Sequence, residues 1–294
     1  MSYTILDLIG NTPLVKAQTL VKNPKVSLFL KLEGQNPGGS VKDRAAYNMI
    51  KSALDRGDIT RETKLIEATS GNTGIALAMI AGIFELDLEL VMPENSTIER
   101  VQTMRAFGAK VTLTPEEVGI EGARDFAENK MKTNGLFMIN QFSNNDNWLA
   151  HYKTTGPEVW NDTNQKITHF VSSMGTTGTI MGTSTFLKEK NSSIQIVGVQ
   201  PSDDARIPGI RKWPQEYLPK IFDPAKVDRI IEVNEVEAKK MTRYLAEREG
   251  IFAGMSSGGA TTAAVKLCDE LEEGVVVSII CDRGDRYLSS NLFD

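Results

Sequence analysis

With 294 residues, 40% of them apolar and 24% charged, the chain has the composition of a globular protein large enough for two lobes or one extended α/β unit. A formal net charge of -5 and a pI near 5.3 exclude a general electrostatic footprint for nucleic acid or an anionic membrane, so any anion site must be local. Two cysteines (Cys268, Cys281) and two histidines (His151, His169) are too few for a disulfide framework or a metal cluster, and with neither a secretory leader nor a ~20-residue apolar span the expectation is a metal-free cytoplasmic protein.

Short β-branched apolar runs alternate with segments of helical period, the pattern of a mainly parallel sheet covered by helices. The spacing predicts strands at 27–32, 64–68, 88–92, 110–113, 169–173, 195–199 and 275–280, and helices at 73–84, 98–107, 121–133 and 235–249. A polar run at 144–147 separates two α/β halves.

Four turns carry donors or glycines in patterns that suit chemistry. In NPGGSVKDR, Ser40 and Asp43 have capping-box spacing, which places Lys42 in a first helical turn. The positive end of the helix dipole opposes a cation there by ~0.3–1 kcal/mol, biasing Lys42 toward the neutral amine that imine chemistry needs. A solvated lysine beside a cap is the plainer alternative. In EATSGNTG, Thr69, Ser70, Gly71, Asn72 and Thr73 form a strand-to-helix turn suited to a carboxylate, or simply a well-capped βα turn. In MGTTGT, Gly175, Thr176, Thr177, Gly178 and Thr179 repeat that plan with room and donors for a phosphate monoester. The loop is neither a Walker A sequence nor a G-x-G-x-x-G fingerprint. In GMSSGG, Ser256 and Ser257 stand just ahead of a helix, where either serine can be an N-cap.

Taken in order, SVKDR, TSGNTG, GTTGT and GMSSGG, framed by IGNTPL and CDRGDRYLS, resemble the cysteine synthase family of fold-type II pyridoxal-phosphate enzymes over nearly the whole chain. The resemblance implies a two-lobed α/β fold like the tryptophan synthase β-subunit, each lobe a mainly parallel sheet flanked by helices. It assigns 1–12 and 35–145 to a smaller lobe that closes on substrate, and 13–34 with 146–294 to a larger lobe that holds the cofactor phosphate. Pyridoxal 5'-phosphate is then the cofactor, joined to Lys42, which also acts as base at the substrate Cα. Asn72 faces its phenolic oxygen, 175–179 its phosphate and Ser256 its pyridine nitrogen, while Thr69, Ser70, Gly71, Thr73 and Gln141 take the substrate carboxylate. A neutral hydroxyl opposite the pyridine nitrogen makes a weaker electron sink than a carboxylate, which favours loss of a β-leaving group through an α-aminoacrylate over transamination.

GTTGT, RIPGIRKWPQEYLP and CDRGDRYLS are similar to the B branch, which accepts thiosulfate as well as sulfide with O-acetylserine. In this reading Arg211 contacts the sulfur donor, beside Arg206 and Lys212, and Cys281 and Asp282 shape or line the pocket. The basic residues can instead be solvated or pair with Asp203, Asp204 and Glu216. The resemblance also implies a homodimer. The chain ends in Asn291-Leu292-Phe293-Asp294 rather than an isoleucine, so a stable serine acetyltransferase complex is not expected. Related alternatives are a serine or threonine dehydratase and a cystathionine-forming synthase, and a non-catalytic cofactor-binding scaffold is the alternative from another class.

Overall fold

The structure is a computed structural model that describes residues 3–69 and 71–294. From the amino end, β1 (Leu14–Lys16) and β2 (Val26–Leu32) form an antiparallel hairpin, with Leu14 opposite Lys31. There follow α1 (Lys42–Arg56), β3 (Leu65–Ala68), α2 (Asn72–Ile83), β4 (Leu88–Pro93), α3 (Ile98–Ala106), β5 (Lys110–Thr114), α4 (Gly119–Asn134) and the short β6 (Phe137–Met138). The second half contains α5 (Asn145–Lys153), α6 (Thr155–Asp162), β7 (His169–Ser173), α7 (Gly178–Lys190), β8 (Gln195–Pro201), β9 (Arg229–Val233), α8 (Glu235–Glu249), α9 (Met255–Glu270) and β10 (Gly274–Ile280).

The strands build two sheets, of order β5-β4-β3-β6 and β1-β2-β10-β7-β8-β9. Every pairing except the β1–β2 hairpin is parallel. The architecture is therefore the two-lobed α/β fold expected of a fold-type II enzyme, with helices on both faces of each sheet. Parallel strands covered on both faces are apolar on both faces, which is why β3 is buried at every position. The helix α2 behaves likewise: residues 73–81 are all buried, so it has no solvent face. By contrast β9 alternates, with Ile231 and Val233 buried and the residues between exposed, as an edge strand does.

Both sheets place the carboxyl ends of their strands toward the space between them, where α2 begins after β3 and α7 begins after β7. An ion network helps hold α1 to the larger sheet. Lys31 on β2 is fully buried and donates to the Thr12 carbonyl at 2.7 Å, and it pairs with Glu158 at 2.8 Å and Asp162 at 2.9 Å. Arg44 in the first turn of α1 bridges Glu33 at 2.7 Å and Glu158 at 2.6 Å. Burial alone would raise the Glu33 carboxyl, but Arg44, Thr12 and Lys31 hold it down at about 2.

Two local expectations fail. The Ser40–Asp43 capping box does not form: Val41 is the N-cap, and the Asp43 carboxylate accepts from the Gly38 N–H instead. Ser40 Oγ accepts from the Lys42 N–H at 3.2 Å, so Lys42 still opens the helix. Ser256 and Ser257 lie inside the first turn of α9, whose N-cap is Gly254, rather than ahead of it. Among the described residues, no helix is long and apolar enough to cross a membrane, and no group of three or more His, Cys, Asp or Glu could hold a metal ion.

Candidate active site

A cleft of about 910 Å³ opens between the sheets, and its walls include Lys42, Asn72, Thr73, Gln141, residues 175–179 and Ser256. Five segments remote in sequence thus meet in one space. Lys42 reaches it from the start of α1, and no carboxylate lies within ion-pair distance of its amine among the described residues. Burial lowers its pKa from the ordinary lysine value, against the opposing effects of Cys281, Asp282 and Glu33. The amine is thereby biased toward the neutral, nucleophilic form.

The loop between β7 and α7 has the features of a phosphate cradle. Thr177 is the N-cap of α7 and adopts φ +70°, a left-handed conformation costly for a β-branched residue. Its Oγ1 is buried without a hydrogen-bond partner, at the end of a helix that favours anions. A Cβ on Gly178 would collide with Asn147 Oδ1, and one on Gly175 would come within 2.9 Å of the Gly209 carbonyl, so both glycines permit close backbone approach. Behind the loop, His151 Nε2 lies 3.3 Å from Thr179 Oγ1 and its Nδ1 lies 2.8 Å from Thr155 Oγ1. Burial, reinforced by the Arg44 charge, holds the imidazole at about 3, hence neutral near pH 7. An orphaned hydroxyl, a strained backbone and a helix N-terminus together fit a phosphate monoester.

Asn72 begins α2 and is held from two sides. Its Nδ2 donates to Asp282 Oδ2 at 2.7 Å and its Oδ1 accepts from Arg286 Nη1 at 2.7 Å. Because guanidinium only donates, this pairing sets the amide orientation and leaves the second Nδ2 hydrogen for a ligand. Arg286 also donates to the Gly38 carbonyl at 2.6 Å, linking Asn72 to the turn before Lys42. Gln141 accepts from Thr73 Oγ1 at 2.7 Å and donates to the Ala68 carbonyl at 3.2 Å. Its loop hangs on Glu67, which accepts from the Asn140 and Gln141 N–H groups and whose carboxyl burial pushes up to about 7.

Some expected site residues stand behind the walls. Thr69 Oγ1 accepts from the Gly71 and Gly74 N–H groups at 3.1 Å each, so it caps the turn instead of facing the cleft. Gly71 and Asp282 also stand off the cleft surface, Asp282 beneath Asn72 and Tyr287. Ser70 lies outside the described residues. Cys281 is on the wall, its N–H donating to Ser257 Oγ at 2.9 Å, and burial with the Asp282 charge pushes its thiol up to about 11. Arg206, Arg211 and Lys212 line the mouth. Lys212 pairs with Asp203, also at the mouth, at 2.5 Å and with Glu232 at 2.9 Å, whereas Arg206 and Arg211 form no ion pair among the described residues.

The sequence reading missed Arg100, Arg286, Tyr287, Phe142 and Trp213. Arg100 lies over the Tyr287 ring at 4.6 Å, and Trp213 Nε1 donates to the Gly175 carbonyl at 2.7 Å. The only signal was proximity to motifs: Phe142 follows Gln141, Trp213 follows Lys212, and Arg286 and Tyr287 fall in CDRGDRYLS.

A two-sheet α/β fold with a lysine at one helix start and an anion cradle at another defines an enzyme built around a phosphorylated aldehyde cofactor. The chain belongs to the pyridoxal-phosphate dependent enzyme family, whose pattern matches residues 5–282. It is 56% identical to cysteine synthase B of Pseudomonas aeruginosa over 291 residues, covering 99% of this chain and 97% of that one. It is 52% identical to cysteine synthase B of Escherichia coli over 290 residues, covering 99% and 96%. In structure it is similar to O-ureido-L-serine synthase, with a TM-score of 0.94, 34% identity and coverage of 100% of this chain and 96% of that one. The cofactor of the family is pyridoxal 5'-phosphate, and the residues described above fit it.

Proposed function

We propose that the chain is a cysteine synthase of the B type, which replaces the acetoxy group on the β-carbon of O-acetylserine with sulfur. Sulfide then gives cysteine and acetate, and thiosulfate gives S-sulfocysteine and acetate. Family membership and the relatives support β-replacement of the cysteine synthase or O-ureidoserine synthase type. The observation that carries it is one cleft in which Lys42 and the 175–179 loop share a mouth lined by Arg206 and Arg211.

In this reading, Lys42 is the residue that would carry the cofactor and would take the proton from the substrate Cα, as its depressed pKa allows. When bound, the cofactor supplies the electron sink that weakens bonds to Cα. Residues 175–179 hold its phosphate, Asn72 donates to its ring oxygen, and Ser256, buried at the start of α9, faces its ring nitrogen. Thr73 and Gln141, which line the cleft, take the substrate carboxylate, and Thr69, Ser70 and Gly71 belong to the same proposed carboxylate site. Arg211 offers a planar fork of donors to the oxygens of thiosulfate. Glu116, Glu117 and Glu121 also line the cleft and disfavour an anion near them, which directs the donor toward the arginines. Cys281 lines the space beside Lys42, and Asp282 acts on it through Asn72.

The division into 1–12 with 35–145 and 13–34 with 146–294 belongs to the same proposal, with the first lobe closing over substrate to exclude water. It is supported by the hairpin β1–β2, which joins the larger sheet although it precedes the smaller one in sequence. A homodimer in the cytoplasm belongs to the same proposal.

The test is product analysis by mass spectrometry with purified holoenzyme. Cysteine from O-acetylserine and sulfide, with S-sulfocysteine from thiosulfate, is expected. Efficient turnover of serine alone to pyruvate and ammonia, or of serine with homocysteine to cystathionine, without these products would overturn the assignment.

A further inference from the structure

We propose that Arg124 is a positioning residue for the second substrate: it fastens the 206–217 segment across the cleft mouth and so fixes where Arg211 stands. The inference rests on the reading of Arg211 as the donor-facing group. Arg124 lies on α4, which packs on the smaller sheet, and is not part of the cleft wall. The 206–217 segment leaves β8 of the larger sheet and crosses to the other side.

Two sets of contacts hold this segment. At its base, the Arg211 N–H donates to the Met174 carbonyl at 2.8 Å and Trp213 Nε1 to the Gly175 carbonyl at 2.7 Å, so both residues hang from the approach to the 175–179 loop. At its far end, the Arg124 guanidinium carbon lies 4.1 Å from the Phe142 ring centre, 5.3 Å from Tyr217 and 5.8 Å from Trp213. Arg124 Nη1 also donates to the Tyr217 carbonyl at 3.3 Å. Phe142 meets Trp213 edge to face, with ring centres 5.4 Å apart, and Trp213 packs on the apolar cluster of Ile66, Ala68 and Ile120 in the smaller sheet's layer.

Arg124 is therefore the charged centre of three rings, two from the crossing segment and one from the residue after Gln141. A planar guanidinium can contact several ring faces and a carbonyl together, which a lysine ammonium does less well. The side chain of Arg211 is exposed and lies 5.9 Å from the Trp213 ring centre. With no ion pair among the described residues, it takes its place from the backbone that carries it and from Trp213. The Arg211 N–H stays tied to the Met174 carbonyl, so releasing the far end loosens the Trp213 ring beside which the Arg211 guanidinium lies, and the cost falls on the donor that needs a placed charge. Thiosulfate is a large dianion and hydrosulfide a small monoanion, so the effect separates them.

The test compares holoenzyme variants Arg124→Met and Arg124→Lys with both donors. Arg124→Met is expected to lower kcat/KM for thiosulfate about tenfold, chiefly through KM, with under about threefold loss for sulfide. Arg124→Lys should lie between it and the parent. In an Arg211→Ala background, Arg124→Met should add little to the thiosulfate loss, because it acts through Arg211. With Trp148→Phe and Trp160→Phe leaving Trp213 as the sole tryptophan, Arg124→Met should raise acrylamide quenching of its fluorescence. Equal losses with both donors, full additivity with Arg211→Ala, or unchanged quenching would each overturn the inference. A parent enzyme that uses sulfide but not thiosulfate sinks the donor reading and the role given to Arg124, whereas parent use of thiosulfate with an unaffected Arg124→Met variant sinks the role alone.

Discussion

Asn72 donates through Nδ2 to Asp282 Oδ2 at 2.7 Å, joining the start of α2 to a residue just beyond β10. The same Asp282 oxygen accepts from Tyr287 Oη at 2.6 Å, so one buried carboxylate orders the amide from behind the wall. Asp282→Asn removes the charged acceptor while preserving size. Cofactor affinity of the apoprotein should fall about tenfold, for the loss of a charge-assisted bond worth ~1.5–3 kcal/mol less what Arg286 retains. Titration of apoprotein with pyridoxal phosphate, followed by fluorescence, measures it. An unchanged affinity would show that Arg286 alone orients Asn72.

Lys42→Ala should abolish covalent cofactor attachment, seen as loss of the visible band, and reduce turnover at least ~10³-fold while circular dichroism stays native. Lys42→Met should in addition stabilise the apoprotein. A lysine whose folded pKa lies below its unfolded value of ~10.4 binds more protons when unfolded, so wild-type stability rises with pH between the two values. Below that window the full penalty of burying the ammonium applies. The Tm advantage of Lys42→Met should therefore be present at pH 7 and shrink as pH rises toward 10.5. An advantage independent of pH would assign it to packing.

Glu67 works in the opposite direction along the pH scale. Its folded pKa of about 7 exceeds the unfolded ~4.3, so the native state binds more protons between these values and stability falls as pH rises through them. Glu67→Gln lacks that titration but offers one amide oxygen where the Asn140 and Gln141 N–H groups need acceptors. Relative to wild type, the variant should be less stable at pH 4 and should recover as pH rises to 8, by up to ~3 kcal/mol. Denaturant midpoints across that range measure it. Parallel profiles would mean that Glu67 does not titrate in the window.

What sequence reading reached was local. The strand–glycine turn–helix grammar of EATSGNTG and GTTGT locates two helix starts on the cleft, because a turn of five residues and its helix depend on neighbours in the chain. The pattern missed β1, β6 and β9, which are short or lie at sheet edges and carry little periodic signal. It misjudged Ser40 and Asp43, since the Gly38 N–H competes for the carboxylate. The sequence could not show that the Thr69 hydroxyl, assigned to the substrate carboxylate, also accepts from the Gly71 and Gly74 N–H groups of its own turn. Long-range partners such as Asn72 with Asp282, or Arg124 with Phe142 and Tyr217, require the two sheets to be packed before they exist.

Thr177 tests whether strain is kept for binding. Its φ of +70° and ψ of -3° are natural for glycine and unfavourable for a β-branched residue, at a cost of ~1–3 kcal/mol. Its Oγ1 is buried and unpartnered, which adds the penalty of an unmet hydrogen bond in the absence of a ligand. Thr177→Gly removes both penalties but adds unfolded-state entropy of up to ~1 kcal/mol, so the apoprotein should gain ~1 kcal/mol or more. If that hydroxyl holds the phosphate as proposed, the same variant should bind pyridoxal phosphate about tenfold more weakly. Thr177→Ser keeps the hydroxyl and relaxes the branching, so it should bind nearly as tightly as wild type. Thr177→Ala keeps most of the strain without the hydroxyl, so it should bind weakly and gain less stability than Thr177→Gly. Apoprotein Tm and cofactor titration on the three variants separate backbone from hydroxyl. If Thr177→Gly binds as wild type does, the hydroxyl does not hold the phosphate; if its apoprotein melts lower, the left-handed conformation is not where the cost lies.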